Sequence, residues 1–445
     1  MQLPDPPSDP SRRAFGQTVL GVFAAGAGNK VLAAADSAPR QEVERWRAAF
    51  RALQTRVRDK PLIYLDSAAT TQRPETVLTA LIDFYRTTNA NPGEALHTLA
   101  RRSHERYQSA RDTVARFINA ASSDEIVWVR GTTEGINLVA TAWARSQLQA
   151  GDEILLTMAE HASNLLPWRL AAHHTGAVVR FVDVDDEGRV SMADLERKLT
   201  RRTRILAFSH VSNVAGFINP AAEICARVHA VGARVLIDAA QSAPHVPLDV
   251  QTLGCDFLAF SGHKMLAPMG VGVLWARREV LASMPPYQAG SNMAHAIDVD
   301  GEQLEEAGRK FCAGTPNVSG PVGLAAAISF LDSLGRAAIE RHESELSAHG
   351  LEALQSVPGL RILGPRTPDQ RLPVFSFVLE GRTPPEILRA LDYEGIAIRA
   401  GDLSALPLLK RFGVSAAARA SCFLYTLPEE IDQMARVLRK LAIRK

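Results

Sequence analysis

The chain has few of the features that would assign it to a specialised class. It carries only four cysteines in 445 residues, Cys225, Cys255, Cys312 and Cys422, and no two of them form a CxxC pair. That usage excludes a disulfide framework and a cysteine-ligated zinc site, and leaves the thiols as buried apolar side chains. There is almost no excess of one charge: 50 lysines and arginines stand against 48 aspartates and glutamates, a formal net charge of +2. Such a balance provides no basic field for nucleic acid and no acidic tail. Internal repeats and low-complexity segments are also missing. What remains is 46% hydrophobic and 22% charged, the composition of a globular protein long enough for two or three domains.

The first residues read as an address. Ser11-Arg12-Arg13-Ala14-Phe15 is a twin-arginine pattern, followed by the apolar stretch Val19 to Gly28 and the small-residue cleavage site Ala33-Ala34-Ala35. The apolar stretch falls short of the roughly 20 residues of a membrane span, so it supplies no stable anchor. Residues 1–38 are therefore expected to direct export by the twin-arginine route, as a receptor-read signal. The alternative is a disordered extension with a chance arginine pair, and Lys30 interrupts the apolar region.

Beyond the leader the hydrophobic period alternates. Gln41 to Val57 has helical spacing, with Val43, Trp46, Phe50 and Leu53 on one side. Ile63 to Leu65 reads as a short strand, and Glu125 to Val129, Glu153 to Leu156, Val178 to Val182, Ile205 to Ser209, Val235 to Ile237 and Phe257 to Phe260 read as longer ones. Helical stretches such as Glu134 to Gln147 and Ala221 to Ala230 lie between them. This alternation predicts an α/β fold, a mostly parallel sheet covered on both faces. After Gly314 the pattern changes to helices over Gly323 to Leu334 and Ala337 to Leu354, then strands over Val374 to Val378 and Ile396 to Arg399, as in a smaller α+β domain. The expected division is 39–60, a helix packing on the small domain; 61–313, the large domain; and 314–445, the small domain.

The residues that carry chemistry stand where apolar strands end. Lys264, in Ser261-Gly262-His263-Lys264, follows the strand Phe257 to Phe260. There, at the edge of a sheet, its amine can form a Schiff base once burial and neighbouring positive charge lower its pKa. Asp238 ends the strand Val235 to Ile237. It reads either as a cap or turn residue or as the carboxylate that pairs with a protonated pyridine nitrogen. Gln241 follows three residues later, within reach of a ring hydroxyl. Arg130-Gly131-Thr132-Thr133-Glu134-Gly135 joins a strand to a helix, so Thr132 and Thr133 form either a plain cap or a phosphate cradle, to which Ser261 and His263 add donors. His161, in Glu160-His161-Ala162-Ser163-Asn164, reads as a packed histidine or as one that stacks on a ring.

Taken together these motifs resemble the class V aminotransferase family, and within it the cysteine desulfurase and selenocysteine lyase group of the SUF type. The resemblance runs from about Pro61 to Ile443 and adds Leu65-Asp66-Ser67-Ala68-Ala69-Thr70, His210-Val211-Ser212-Asn213 and Ala313-Gly314-Thr315-Pro316-Asn317. It implies pyridoxal phosphate as cofactor and an aspartate aminotransferase-like fold with a seven-stranded sheet. It also implies a homodimer with the site at the subunit interface, and a small amino-acid-like substrate. By resemblance Lys264 is the Schiff-base lysine, Asp238 pairs with the pyridine nitrogen, Gln241 meets the ring oxygen and His161 stacks on the ring. Thr133, Ser261 and His263 match phosphate contacts. Asn213 and Arg419 match contacts to the substrate carboxylate, with Arg399 in the flanking motif and His97 near the substrate.

One position departs from the pattern. Desulfurases of this type carry a nucleophilic cysteine on a loop before the last helices, and the flanks match at Arg399, Gly401, Pro407 and Arg419. Between them stands Gly401-Asp402-Leu403-Ser404-Ala405, which puts Ser404 at the nucleophile position and Leu403 where the family has a histidine. A serine hydroxyl, far less acidic than a thiol, does not take up sulfur as a persulfide. The expected reaction is thus an elimination such as C–S cleavage, or a transamination. The alternatives are a true desulfurase using another thiol, and a non-catalytic cofactor-binding relative.

Overall fold

The computed structural model describes residues 40–93 and 97–443; the leader over 1–38 lies outside them. Seven strands form the main sheet: β1 Ile126–Val129, β2 Glu153–Thr157, β3 Val178–Val182, β4 Thr203–Ser209, β5 Arg234–Asp238, β6 Phe257–Ser261 and β7 Gly272–Ala276, in the order β1-β7-β6-β5-β4-β2-β3. Six run parallel, and β7 is antiparallel to both of its neighbours. The strands read as continuous apolar runs because both faces are covered. Val235 and Ile237 join the core on one face while Leu236 joins the core on the other, and Leu258 and Phe260 alternate in the same way with Phe257 and Ala259.

A second, four-stranded antiparallel sheet holds β8 Leu360–Leu363, β9 Val374–Leu379, β10 Arg399–Gly401 and β11 Ala417–Ser421, ordered β8-β9-β11-β10. Its core is formed by Phe375, Phe377, Leu391, Met434 and their neighbours. Among the described residues no single helix is long and apolar enough to cross a membrane.

Several elements differ from the periodicity. The helix expected over 41–57 stops at Ala48; a single 3-10 turn, Arg51–Gln54, follows, and then a hairpin pairing Arg56–Val57 with Lys60–Pro61. The hairpin turn is Arg58-Asp59, both at positive φ as a two-residue turn requires. Val43, Trp46, Phe50 and Leu53 are buried as expected, in a cluster that holds Phe423 and Tyr425 of the C-terminal part as well as Val235 and Phe260 of the main sheet. As expected, the segment contacts the C-terminal part, through Trp46 on His342, Phe50 on Phe330 and Tyr425, and an Arg47–Glu430 ion pair of 2.7 Å. The helix expected over 134–147 begins at Thr132 and contains a π turn, Val139–Trp143. The helix expected from Gly323 starts at Ser319, with Pro321 tolerated in its first turn. The strand expected over 396–399 divides: Ile396–Ala397 pairs in parallel with Ile63–Tyr64, and Arg399 enters β10.

Candidate active site

The carboxyl ends of the parallel strands open into a cleft of about 340 Å³. Open parallel sheets bind ligands at this edge. Thr132 and Thr133 reach it from the end of β1, His161 and Ser163 from β2, Ser209 and Asn213 from β4, Asp238 and Gln241 from β5, and Ser261, His263 and Lys264 from β6. Ala68 and Ala69 line another wall, and Arg399, Asp402, Leu403, Ser404 and Arg419 come from the small sheet and its loop. Twelve of the thirteen expected site residues thus lie together. His97 does not line the cleft: it caps the helix Thr98–Phe117, with Nδ1 accepting the Ala100 N–H at 3.2 Å.

Lys264 ends the 3-10 turn Gly262–Lys264 after β6. It lines the cleft, half-buried, and its amine has no hydrogen bond or ion pair among the described residues. Burial, reinforced by the Arg419 and Arg399 charges and opposed by Asp238, pushes it down to about 8. Asp238 is buried; one oxygen accepts the Ala240 N–H at 2.9 Å, and burial raises its pKa against the pull of Lys264. His161 is held neutral, pushed down to about 4 by burial and by Lys264. Its Nδ1 accepts the Ser163 N–H at 3.1 Å, which assigns the ring proton to Nε2. His263 is likewise pushed down to about 4, by burial and by Lys264. Gln241 donates to the Ala68 carbonyl at 2.8 Å, which fixes its amide against the opposite wall.

The turn after β1 is built for close approach. Ser261 Oγ accepts the Thr132 N–H and shares a hydrogen bond with Thr132 Oγ1, each 2.8 Å, while Thr133 Oγ1 donates to Ser163 at 2.9 Å. A side chain on Gly272 of β7 would stand 2.6 Å from Gly131 Cα, so only glycine lets the strand pass beneath this turn.

Arg419 is buried. Nη1 donates to the Asn213 carbonyl at 2.9 Å, Nη2 lies 3.3 Å from Asp66, and its Nε has no partner. Asp66 also pairs with Arg399 at 2.9 Å, so one carboxylate braces both guanidiniums. The sequence reading placed Asp66 only in a turn motif; its position after the apolar strand Ile63–Tyr64 was the available signal. Glu160 was missed as well. It is buried and accepts from Thr157 Oγ1, from Asn164 at 2.7 Å, and from Ser209 Oγ and N at 2.8 and 3.2 Å. Burial pushes it up to about 7 despite these donors, and Asp238 adds to the shift.

Ser404 faces the cleft on a loop where Leu403 and Ser404 have φ of 51° and 53°. Consecutive left-handed residues with side chains cost about 1–2 kcal/mol each. None of the four cysteines lines the cleft. Cys225, Cys255 and Cys422 are buried as expected, and burial raises the Cys422 thiol. Cys312 departs from that expectation: it is partly exposed and lies 3.6 Å from Arg111.

This donor set fits pyridoxal phosphate. It offers an unpaired amine facing the cleft for the aldehyde, a buried carboxylate without a resident ion pair for the ring nitrogen, a neutral imidazole, and a hydroxyl-lined turn for the phosphate.

A family model described as aminotransferase class-V matches residues 63–434. A protein of Halalkalibacterium halodurans named probable cysteine desulfurase is 44% identical over 391 residues, 88% of this chain and 96% of the relative. A cysteine desulfurase of Synechococcus elongatus is 44% identical over 400 residues, 90% of this chain; the match spans only 64% of that longer relative. Among solved structures, a cysteine desulfurase of Escherichia coli superposes with a TM-score of 0.81 at 38% identity, covering 89% of this chain and 98% of that one.

Proposed function

The chain belongs to the class V aminotransferase family, whose members use pyridoxal phosphate, and from that premise we propose that it cleaves a bond at the β-carbon of a small amino acid by elimination and does not transfer sulfur to itself. The observation that carries this reading is the loop: Ser404 faces the cleft where the family resemblance expects a cysteine, and no thiol lines the cleft.

The cofactor, when bound, withdraws electrons from the bonds to the substrate α-carbon. The chain's own residues supply the rest. Arg419, which lines the cleft, takes the substrate carboxylate, and Arg399 adds charge beside it. Asp238 would hold the cofactor's ring nitrogen, keeping a proton there, and His161 would supply an uncharged imidazole beside the ring. Lys264, whose amine is depressed toward neutrality, takes the α-proton at Nζ and can return it. A β-substituent that leaves as an anion then needs no protein nucleophile. Transamination uses the same groups.

A second reading, a desulfurase using another thiol, is favoured by the names of the relatives. It would have to draw on Cys422, which is buried outside the cleft, or on Cys312, which is also outside it. Incubating the holoenzyme with cysteine and following sulfide, pyruvate, ammonia and keto acid together tests the choice. Pyruvate, ammonia and sulfide in equal amounts, with no protein persulfide by mass spectrometry, is the expected result; alanine with a persulfide on any cysteine at the turnover rate overturns it. Export through the leader and pairing into a homodimer complete the proposal.

A further inference from the structure

Asn213 is expected to touch the substrate carboxylate, but its side chain is already engaged. Nδ2 donates to the Leu403 carbonyl at 2.9 Å, across 190 residues of sequence. The next residue of the same loop, Ser404, offers its carbonyl to the Ala162 N–H at 2.7 Å, directly beside His161. The Leu403 side chain is buried with Phe217, Leu408 and Leu409, although its backbone and that of Ser404 sit at positive φ. Three attachments therefore hold the loop in a conformation that its residues disfavour on their own. The Asn213 amide has two hydrogens and one is engaged. Asn213 also lines the cleft, and its backbone carbonyl accepts from Arg419 at 2.9 Å.

We propose that Asn213 is a positioning residue that clamps the Ser404 loop through the Leu403 carbonyl while its second amide hydrogen stays available to the substrate carboxylate, so that one side chain sets both the wall of the cleft and the recognition of the ligand. The carboxylate half rests on the function proposed above; the clamp does not. Filling the cleft and fixing the loop then reinforce each other, since both order the same amide.

Hydrogen exchange of the substrate-free holoenzyme separates the two halves. Asn213→Ala should speed exchange of the Ala162 amide and of the peptide 402–405 about tenfold, the effect of one neutral hydrogen bond, with cofactor absorbance retained. Leu403→Ala, which empties the apolar anchor without touching the amide, should loosen the same amides. If Asn213→Ala does not fold, Asn213→Asp keeps the shape without the donor and is read identically. Unchanged exchange at Ala162 in the Asn213 variants would leave Asn213 a substrate contact only and overturn the clamp. Failure to find pyruvate would sink the elimination reading and leave this result standing.

Discussion

The amine of Lys264 can bond an aldehyde only when neutral. At its ordinary value of 10.5 about one amine in 3,000 would be neutral at pH 7; at about 8, roughly one in ten is, an advantage of about 300-fold. Cofactor-free protein mixed with pyridoxal phosphate and quenched with borohydride at intervals should take its label at Lys264. The labelling rate should climb with pH and level off above a midpoint near 8. Two substitutions should move that midpoint in opposite directions. Asp238→Asn removes the anion that holds the proton on, and lowers it; Arg419→Ala removes a cation that drives the proton off, and raises it. Linkage gives a second, independent readout. The folded-state value lies below the unfolded one, so between about pH 8 and 10.5 the unfolded chain binds more protons, and the cofactor-free protein should gain stability as pH rises through that window. Below it both states are protonated and the penalty of burial is felt in full. A labelling midpoint near 10.5, label on another lysine, or a shift of the same sign in both variants would refute the reasoning.

Three further outcomes are expected. Arg419→Ala should raise the Michaelis constant roughly 10- to 150-fold, the loss of about 1.5–3 kcal/mol of charged hydrogen bonding, with cofactor absorbance intact and partial recovery in Arg419→Lys; an unchanged constant removes Arg419 from substrate binding. Ser404→Cys should introduce a persulfide detectable by mass spectrometry, weakly because Leu403 replaces the neighbouring histidine that the family resemblance implies; a wild-type protein already carrying one would reverse the assignment. Replacing Arg12 and Arg13 by lysine should trap an uncleaved chain in the cytoplasm, checked by fractionation and N-terminal sequencing, and cytoplasmic full-length protein in the native cell would count against export.

Much of the cleft was legible because its chemistry follows apolar runs. Asp238, Ser261 and Lys264 sit at or just past strand ends, where a buried strand must deliver its next polar residue to the sheet edge. Strand β7 was not anticipated, although Val271 to Ala276 is an apolar run; its direction depends on how the chain reverses through Met265 to Gly270, with Leu266 and Gly270 at positive φ, and periodicity carries no sign of direction. Asp66 and Glu160 escaped notice for a related reason. Asp66 pairs with Arg399, 333 positions away, and Glu160 reaches Ser209, 49 positions away, besides its neighbours Thr157 and Asn164; no local pattern announces the distant pairs. His97 shows the converse, a residue matched by motif whose imidazole caps its own helix.

The shared brace at Asp66 has a consequence for which amino acids the cleft admits. At the brace itself, two guanidiniums against one carboxylate leave a surplus of a single positive charge. One substrate carboxylate neutralises that surplus. A second, carried on the side chain, would arrive beside Asp66, with which both guanidiniums are already paired. If the proposed reaction on a small amino acid holds, this charge balance should favour uncharged side chains over those of aspartate and glutamate, which a comparison of their Michaelis constants would test.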